Sequence, residues 1–172
     1  AIADVELKCV NQDNQEVPVG EPGEILVRGY NVTKGYFNNP EATKETIDTE
    51  GWLHTGDIGI LDHNGYIKIT DRSKDMFIVG GFNAYPAEIE NILCDHPSIS
   101  QAAVIGIADE RMGEVAKAFV VLKPNHELQE DTLVQWSKEN MANYKVPREI
   151  VFVEALPTNA AGKVMKFILR EE

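Results

Sequence analysis

The 172-residue sequence is poor in basic side chains, in cysteine and in long apolar runs. Its 16 lysines and arginines face 28 acidic residues, and the resulting net charge of −12 argues against broad nucleic-acid binding, which needs a basic surface. No apolar run approaches the roughly 20 residues of a membrane-spanning helix, and no amino-terminal stretch resembles a signal peptide. We therefore expect neither a nucleic-acid partner nor a transmembrane segment.

Cysteine occurs only as Cys9 and Cys94, each within or beside an apolar segment. Neither takes part in a Cys-x-x-Cys motif or in a Cys/His spacing of the kind that holds zinc, so we interpret both as packing residues. The four histidines are scattered along the chain, and we expect no metal-binding site in it. This cysteine usage is typical of a protein in the reducing cytoplasm.

The composition otherwise favours a folded protein, since 43% of the residues are hydrophobic and 26% are charged. The acidic excess is uneven: residues 1–71 carry thirteen acidic and five basic side chains, and residues 72–172 carry fifteen and eleven. We therefore expect two structural units with a boundary near Asp71. The sequence starts without Met in an alternating, strand-like pattern, so we interpret it as a piece of a larger protein.

The first unit is expected to be rich in strands. Asn64-Gly65 between two alternating runs is a strong hairpin signal, and Asn39 followed by Pro40 predicts the start of a helix. The second unit alternates the two kinds of element and predicts a small α+β domain. Its expected strands are 76–79, 102–107, 116–122 and 150–153, and its expected helices are 86–93, 128–141 and 164–169.

Two segments near the boundary have features of a ligand-binding or moving part. Gly56 precedes Asp57 at an expected strand start, which gives a bend and an exposed carboxylate suited to the two vicinal hydroxyls of a ribose. The structural alternative is an Asx turn that enters the strand. Residues 71–75 are all polar and four of them are charged, so they form either a solvated linker or a hinge.

Two further segments lie in the second unit. Gly80 and Gly81 follow a strand and permit either an ordinary turn or the close approach of a ligand. No Gly-Lys-Ser/Thr sequence follows them, so they do not form a phosphate-binding P-loop. Lys163 ends a loop just before an expected helix, where its ammonium is either solvated or in contact with phosphate or carboxylate oxygens.

In this order and spacing, the segments resemble the carboxy-terminal part of the adenylate-forming enzymes, the superfamily of acyl-CoA synthetases, luciferases and peptide-synthetase adenylation domains. The resemblance covers essentially the whole chain. The residues within the motifs are most similar to those of bacterial fatty-acyl-CoA ligases, including the type acting on propionate side chains of steroid-ring fragments. The matching segments are Trp-x-x-Thr-Gly-Asp at 52–57, Asp-Arg-x-Lys-Asp at 71–75, Pro-Ala-Glu-Ile-Glu at 86–90, Tyr-Lys-Val-Pro at 144–147 and Pro…Gly-Lys at 157–163.

The resemblance implies an α+β fold in three parts. Residues 1–70 correspond to the strand-rich, barrel-like carboxy-terminal part of the large AMP-binding domain. Residues 71–75 correspond to a hinge, and residues 76–172 to the small, mobile lid domain.

The resemblance also implies a role for each matching residue. Asp57 and Arg72 resemble the pair that binds the ribose of ATP and of the acyl-adenylate. Lys74 takes the hinge position, and Lys163 resembles the catalytic lysine that contacts the substrate carboxylate and the α-phosphate region. The face that forms the thioester and lines the CoA site corresponds to Gly80, Gly81 and Tyr144.

The function implied is the ATP-dependent, AMP-forming ligation of a fatty or related carboxylic acid to CoA through an acyl-adenylate. ATP, CoA and Mg²⁺ are implied, but the family's phosphate loop, Mg²⁺-binding glutamate and acyl pocket lie upstream of the matched part. We therefore expect this chain to be inactive without the missing large domain. Assembly into a homo-oligomer is compatible with the resemblance. The alternatives are an adenylation domain that serves a carrier-protein phosphopantetheine and a free-standing, lid-like binding module.

Overall fold

The computed structural model describes residues 3–171, so Ala1, Ile2 and Glu172, at the ends of the expected domains, lie outside the described residues. The chain divides into two compact units, and the division falls between Lys74 and Asp75. Each unit builds its own sheet and its own hydrophobic core.

The first unit is an antiparallel sheet with one short helix. Its elements are β1 (Val5–Val10), β2 (Pro22–Gly29), α1 (Pro40–Thr46), β3 (Leu53–Leu61) and β4 (Ile67–Arg72). The strands pair in the order β1-β2-β3-β4. Within residues 3–171 no pairing joins β1 to β4, so this sheet is open and the expected barrel-like shape is not closed.

Local signals account for two features of the first unit. The Asn39 side chain accepts a hydrogen bond from the Ala42 N–H at 3.1 Å and Pro40 opens α1, as the sequence predicts. The hairpin between β3 and β4 turns at Gly65, whose φ is +80°, and the Asp62 carboxylate accepts from two N–H groups of the turn. Both predictions are confirmed.

The second unit is a five-stranded sheet with helices on both faces. Its elements are β5 (Phe77–Val79), β6 (Phe82–Ala84), α2 (Pro86–Cys94), β7 (Ile99–Asp109), β8 (Gly113–Leu122), α3 (Glu130–Asn140), β9 (Glu149–Phe152) and α4 (Lys166–Leu169), with a 3₁₀ turn at Asn143–Lys145. Strands β7 and β8 form a long antiparallel hairpin. The other edge of β8 pairs with β5 at its start and with β9, in parallel, further along.

Side chains of β7 and β8 alternate between two hydrophobic cores, as the period of a strand requires. Val104 and Ala118 point to the core that is covered by α2 and α3, where Ile89 and Leu133 are fully buried. On the opposite face Phe119 packs in a smaller cluster with the carboxy-terminal segment and α4: Ala103, Ile105, Leu156 and Leu169. The expected α+β class is confirmed.

The structure differs from the sequence-based expectation at two elements of the second unit. Strand β6 was not expected, because its three residues follow a glycine pair and are too few to show a periodic pattern. The last helix begins at Lys166 rather than Val164, since Val164 forms a bridge with Thr158 across the preceding loop. Within the described part of the chain, no helix has the length and apolar character needed to cross a membrane.

Candidate functional site

In the first unit, the structure brings Asp57 and Arg72 together. They are register partners on β3 and β4, and the Arg72 Nε lies 3.4 Å from the Asp57 Oδ1. The Asp57 side chain is 32% exposed and that of Arg72 is 61% exposed, so both groups remain open to a ligand. A largely exposed ion pair of this kind contributes little to stability.

Asp57 lies inside strand β3, on a bulge, and not at a strand start as expected. His54 pairs with Leu26, but Ile58 pairs with Glu24, so three residues of β3 oppose a single residue of β2. Gly56 lies at the centre of this bulge with φ +71°, a conformation that favours glycine. The bend that the sequence indicated before Asp57 is therefore present, but the bulge produces it.

A glutamate that sequence reasoning missed holds this bulge. The Glu24 Oε1 accepts a hydrogen bond from the Gly56 N–H at 3.0 Å, and its Oε2 lies 3.1 Å from the His54 Nδ1. His54 and Gly56 are 30 and 32 positions from Glu24 in sequence, so no local motif could have indicated the contact.

The polar segment 71–75 spans the division between the two units. Asp71 is buried, and the Ser73 N–H donates to the Gly56 carbonyl at 2.9 Å, which ties the start of the segment to the first unit. Lys74 is exposed. Asp75 belongs to the second unit, where its carboxylate accepts from the Arg170 guanidinium at 3.0 Å. Each end of the segment is thus fastened to its own unit.

In the second unit, Gly80 and Gly81 form the two-residue turn of the β5–β6 hairpin. Their φ angles are +57° and +89°, as the type I′ turn of a two-residue hairpin requires, and Val79 pairs with Phe82 across them. The Gly80 N–H donates to the Met112 carbonyl at 2.8 Å. Both glycines are exposed, so the turn is open on its outer side.

Tyr144 lies beside this hairpin. Its ring stacks on Phe82 with 5.0 Å between centroids and 22° between planes. The next residue, Lys145, forms an ion pair with Glu88 of α2 at 2.6 Å. Burial, the largest single influence, lowers the pKa of the Lys145 ammonium, but the hydrogen bond and charge of Glu88 together with Tyr144 raise it by more, so the pKa is raised overall. The structure therefore groups Tyr144 with the glycine turn.

Lys163 lies on a separate loop whose backbone is tightly fixed. The Asn159 Oδ1 accepts hydrogen bonds from the N–H groups of Ala161 (3.0 Å) and Lys163 (2.9 Å), and the Asn159 N–H donates to the Lys163 carbonyl at 2.9 Å. The side chain of Lys163 is exposed, and its ammonium has no hydrogen bond or ion pair with any residue between 3 and 171. Lys163 therefore closes a tight turn and does not begin a helix.

Metal binding is not supported by the part of the chain that the structure describes. Among residues 3–171, no three His, Cys, Asp or Glu side chains are grouped so that they could hold a metal ion. Both cysteines are free; Cys9 is buried as expected, but Cys94 is exposed, so its interpretation as a packing residue is wrong. Partial shielding from water raises the pKa of both thiols.

Two family models match the chain. Residues 88–163 match the AMP-binding enzyme C-terminal domain, and residues 1–37 match the AMP-binding enzyme model. The chain belongs to the adenylate-forming, AMP-binding enzymes. The two matches fall in different units. The match at 1–37 lies in the unit that carries Asp57, and the match at 88–163 lies in the unit that carries Lys163.

Individual adenylate-forming relatives agree with the family models. The chain is 59% identical over 157 residues (91% of its length) to a 3-[(3aS,4S,7aS)-7a-methyl-1,5-dioxo-octahydro-1H-inden-4-yl]propanoyl:CoA ligase of Rhodococcus jostii. It is 43% identical over 171 residues (99% of its length) to a long-chain-fatty-acid–CoA ligase of Escherichia coli. It spans 30% of the length of each of these relatives.

A solved structure shows the same fold. The structure resembles ATP-bound MatB from Rhodopseudomonas palustris with a TM-score of 0.91 and 38% sequence identity. The match covers 99% of this chain and 34% of that protein.

Proposed function

We propose that the chain is the carboxy-terminal part of an AMP-forming acyl-CoA ligase, which activates a fatty or related carboxylic acid as an acyl-adenylate and transfers it to CoA. Two accessible groups at the motif positions carry this proposal. They are the Asp57–Arg72 pair on its bulge and the ammonium of Lys163 on its fixed turn, which pairs with no residue between 3 and 171. The CoA-ligase names of the relatives support the choice of reaction.

Asp57 and Arg72 are proposed to bind the ribose. The Asp57 carboxylate can accept a hydrogen bond from each of two vicinal hydroxyls, and hydrogen bonds to a charged acceptor are stronger than those between neutral groups. Arg72, whose Nε lies 3.4 Å from the Asp57 Oδ1, offers further donors to the nucleotide. Both groups are needed whenever the adenylate is bound, so they serve both half-reactions.

Lys163 is proposed to act in the first half-reaction. An oxygen of the substrate carboxylate attacks the α-phosphorus of ATP, the bond from that phosphorus to the leaving oxygen breaks, and acyl-AMP and pyrophosphate form. Negative charge accumulates on the oxygens in flight, and an ammonium placed beside them stabilises that charge in the transition state. The absence of a partner among the described residues leaves the ammonium of Lys163 available for this task.

The second half-reaction is proposed to use the other face of the second unit. The sulfur of CoA attacks the acyl carbonyl, the thiol loses its proton, and AMP leaves as the thioester forms. Gly80, Gly81 and Tyr144 would line the path of CoA, and a ring such as that of Tyr144 suits contact with the nucleotide of CoA. Rotation at Lys74, within a hinge at 71–75 between domains 1–70 and 76–172, would exchange the Lys163 turn for the glycine turn.

Mg²⁺ is proposed to assist the first step from ligands outside this chain. When bound, it would neutralise charge on the phosphate oxygens. No group of side chains among residues 3–171 fits it, so no step is assigned to it here. Because the reaction consumes ATP and CoA, we place the enzyme in the cytoplasm.

The proposal is tested on the full-length protein with two acids, a long-chain fatty acid and the bicyclic propanoate named for the Rhodococcus jostii relative. We expect pyrophosphate release that depends on one of the acids, followed by an acyl-CoA product when CoA is added. Absence of acid-dependent pyrophosphate release with both acids and with shorter carboxylic acids would contradict the proposal. The 172-residue chain alone is expected to release none, and robust release by it would contradict the assignment as a part.

The same assay separates the two alternatives. Transfer of the acyl group to a phosphopantetheinylated carrier protein but not to CoA would favour a carrier-dependent adenylation domain. A full-length protein that has no upstream Ser/Thr/Gly-rich phosphate loop and binds nucleotide without turnover would favour a lid-like binding module.

A further inference from the structure

Glu24 occupies a position that the proposed ribose site depends on. It lies on β2, and its side chain is 24% exposed, so most of the carboxylate is shielded from water. Both oxygens are used: one accepts from the Gly56 N–H at 3.0 Å and the other lies 3.1 Å from the His54 Nδ1. Gly56 lies at the centre of the bulge that carries Asp57, and His54 borders it.

The bulge explains why a carboxylate is needed there. Three residues of β3 oppose a single residue of β2, Ile25, so Gly56 has no register partner in the strand ladder. A backbone N–H that is partly shielded from water and unpaired is unfavourable, and the bend at Gly56 persists only where an acceptor faces it. Glu24 supplies that acceptor.

The other bonds of the bulge are made within it, to the backbone of Ile25 on β2 and to Ser73. The Asp57 N–H donates to the Thr55 hydroxyl at 3.1 Å, and that hydroxyl donates to the Ile25 carbonyl at 2.7 Å. The Gly56 carbonyl accepts from the Ser73 N–H at 2.9 Å. Glu24 differs from these contacts because its side chain extends from the neighbouring strand β2 and both of its carboxylate oxygens contact this part of β3.

We infer that Glu24 is a positioning residue for nucleotide binding, which acts through Gly56 and His54 to aim the Asp57 carboxylate at the ribose hydroxyls. This inference rests on the proposed function. It assigns to Glu24 no contact with the nucleotide, so its effect should appear as a loss of ribose recognition and not as a loss of chemistry in general.

The measurement is the preference of the full-length enzyme for ATP over 2′-deoxy-ATP, as the ratio of kcat/KM values for acid-dependent pyrophosphate release. One hydroxyl bound to a charged acceptor makes the wild-type preference about tenfold or more. We expect Glu24→Met, which keeps the side-chain length and removes both acceptors, to reduce this preference several-fold. Glu24→Gln retains an oxygen for the Gly56 N–H and is expected to restore most of it.

Glu6→Met is the matched control. Glu6 lies on β1, which β2 separates from β3 in the strand order, and it forms an exposed ion pair with Arg28 at 2.7 Å. Its replacement should leave the preference unchanged. A purely structural role of Glu24 predicts equal losses with both nucleotides, so an unchanged preference in Glu24→Met would overturn the inference.

Two further outcomes also test the inference. If Glu24→Met does not fold, His54→Ala removes one of the two contacts of Glu24, and an unchanged preference in that variant would overturn the inference. If the wild-type enzyme releases no acid-dependent pyrophosphate, the proposed function fails and the inference falls with it. If the enzyme releases pyrophosphate but no Glu24 variant alters its preference for ATP over 2′-deoxy-ATP, the inference is refuted and the proposed function is not.

Discussion

The two units hold their proposed functional groups in different ways. In the first unit the side chain of Asp57 is itself constrained, since it pairs with Arg72 and stands on a bulge held by Glu24. In the second unit the backbone of Lys163 is fixed by Asn159, but no described residue pairs with its ammonium. One unit fixes the functional group, whereas the other fixes only the loop that presents it.

The difference agrees with the two tasks proposed. A group that binds the adenylate throughout gains from being held in one orientation before the ligand arrives, because less freedom is lost on binding. A group that acts in one step and then leaves must not be tied to a partner in its own unit, or each turnover would have to break that contact. The contrast therefore predicts which variants affect both half-reactions and which affect one.

The largest effect is expected for Lys163→Ala in the full-length enzyme. Removal of one stabilising group from a transition state costs about a hundred- to a thousandfold in rate, so pyrophosphate release should fall by that factor. Lys138→Ala, which removes an exposed lysine of α3 in the same unit, should leave it unchanged. Pyrophosphate release near the wild-type rate in Lys163→Ala would contradict the role of Lys163 and, with it, the contrast between the two units.

Lys74→Pro should come next in size. Proline restricts its own φ and the conformation of the preceding residue, so it limits rotation at the proposed hinge. We expect thioester formation to fall by about a hundredfold while pyrophosphate release falls much less, because misplacement of a reacting face is costly. Lys74→Ala, measured alongside by the same two assays, should keep both rates. Normal rates in Lys74→Pro would locate the hinge elsewhere.

Asn159→Ala tests whether pyrophosphate release depends on the turn that holds Lys163 as well as on the lysine itself. It removes the acceptor of two backbone hydrogen bonds, and a hydrogen bond contributes about 1 kcal/mol, so we expect pyrophosphate release to fall about fivefold. Asn159→Asp keeps an acceptor at the same place and should retain most of the activity. Equal losses in the two variants would show that the turn is not what Asn159 contributes.

The smallest expected effect is a loss of stability of the second unit in mild acid. Burial lowers the pKa of His96, with smaller contributions from Lys123 and His126, and the His96 Nδ1 accepts from the Ser98 N–H at 3.2 Å. Because the unfolded chain binds the proton more readily, stability falls as the pH drops below the ordinary histidine pKa of about 6.5.

The acid effect is measured by amide exchange, unit by unit, between neutral pH and mild acid. Protection in α2 and β7, which flank His96, should decrease first. His96→Gln, which cannot take up the proton, should flatten the dependence. A steeper dependence in the variant than in the wild type would contradict this assignment.

Features that depend on neighbouring residues were predictable from the sequence. Asn39 and Pro40 start α1 because both act within the first helical turn, and Asn64-Gly65 sets the β3–β4 hairpin because its backbone geometry is local. The Asp57–Arg72 pairing was implied only by the resemblance, since adjacency across two strands depends on their register.

Features that depend on distant partners were missed. The bulge at Gly56 requires Glu24 on another strand, and β6 is too short to show a pattern of its own. The position of Lys163 in a closed turn depends on Asn159 accepting two hydrogen bonds, where a run of apolar residues had favoured an earlier helix start. At the bulge and at the Lys163 turn, hydrogen bonds to a side chain outside the local pattern decided the outcome.

The central claim is that the first unit serves both half-reactions and the Lys163 turn serves one. It is tested most directly by supplying chemically prepared acyl-AMP and CoA to the full-length enzyme and comparing Asp57→Asn with Lys163→Ala in a single turnover. The account predicts that thioester formation falls strongly in Asp57→Asn, because the ribose is no longer held, and stays near the wild-type rate in Lys163→Ala. Equal rates in the two variants, or a greater loss in Lys163→Ala, would contradict it.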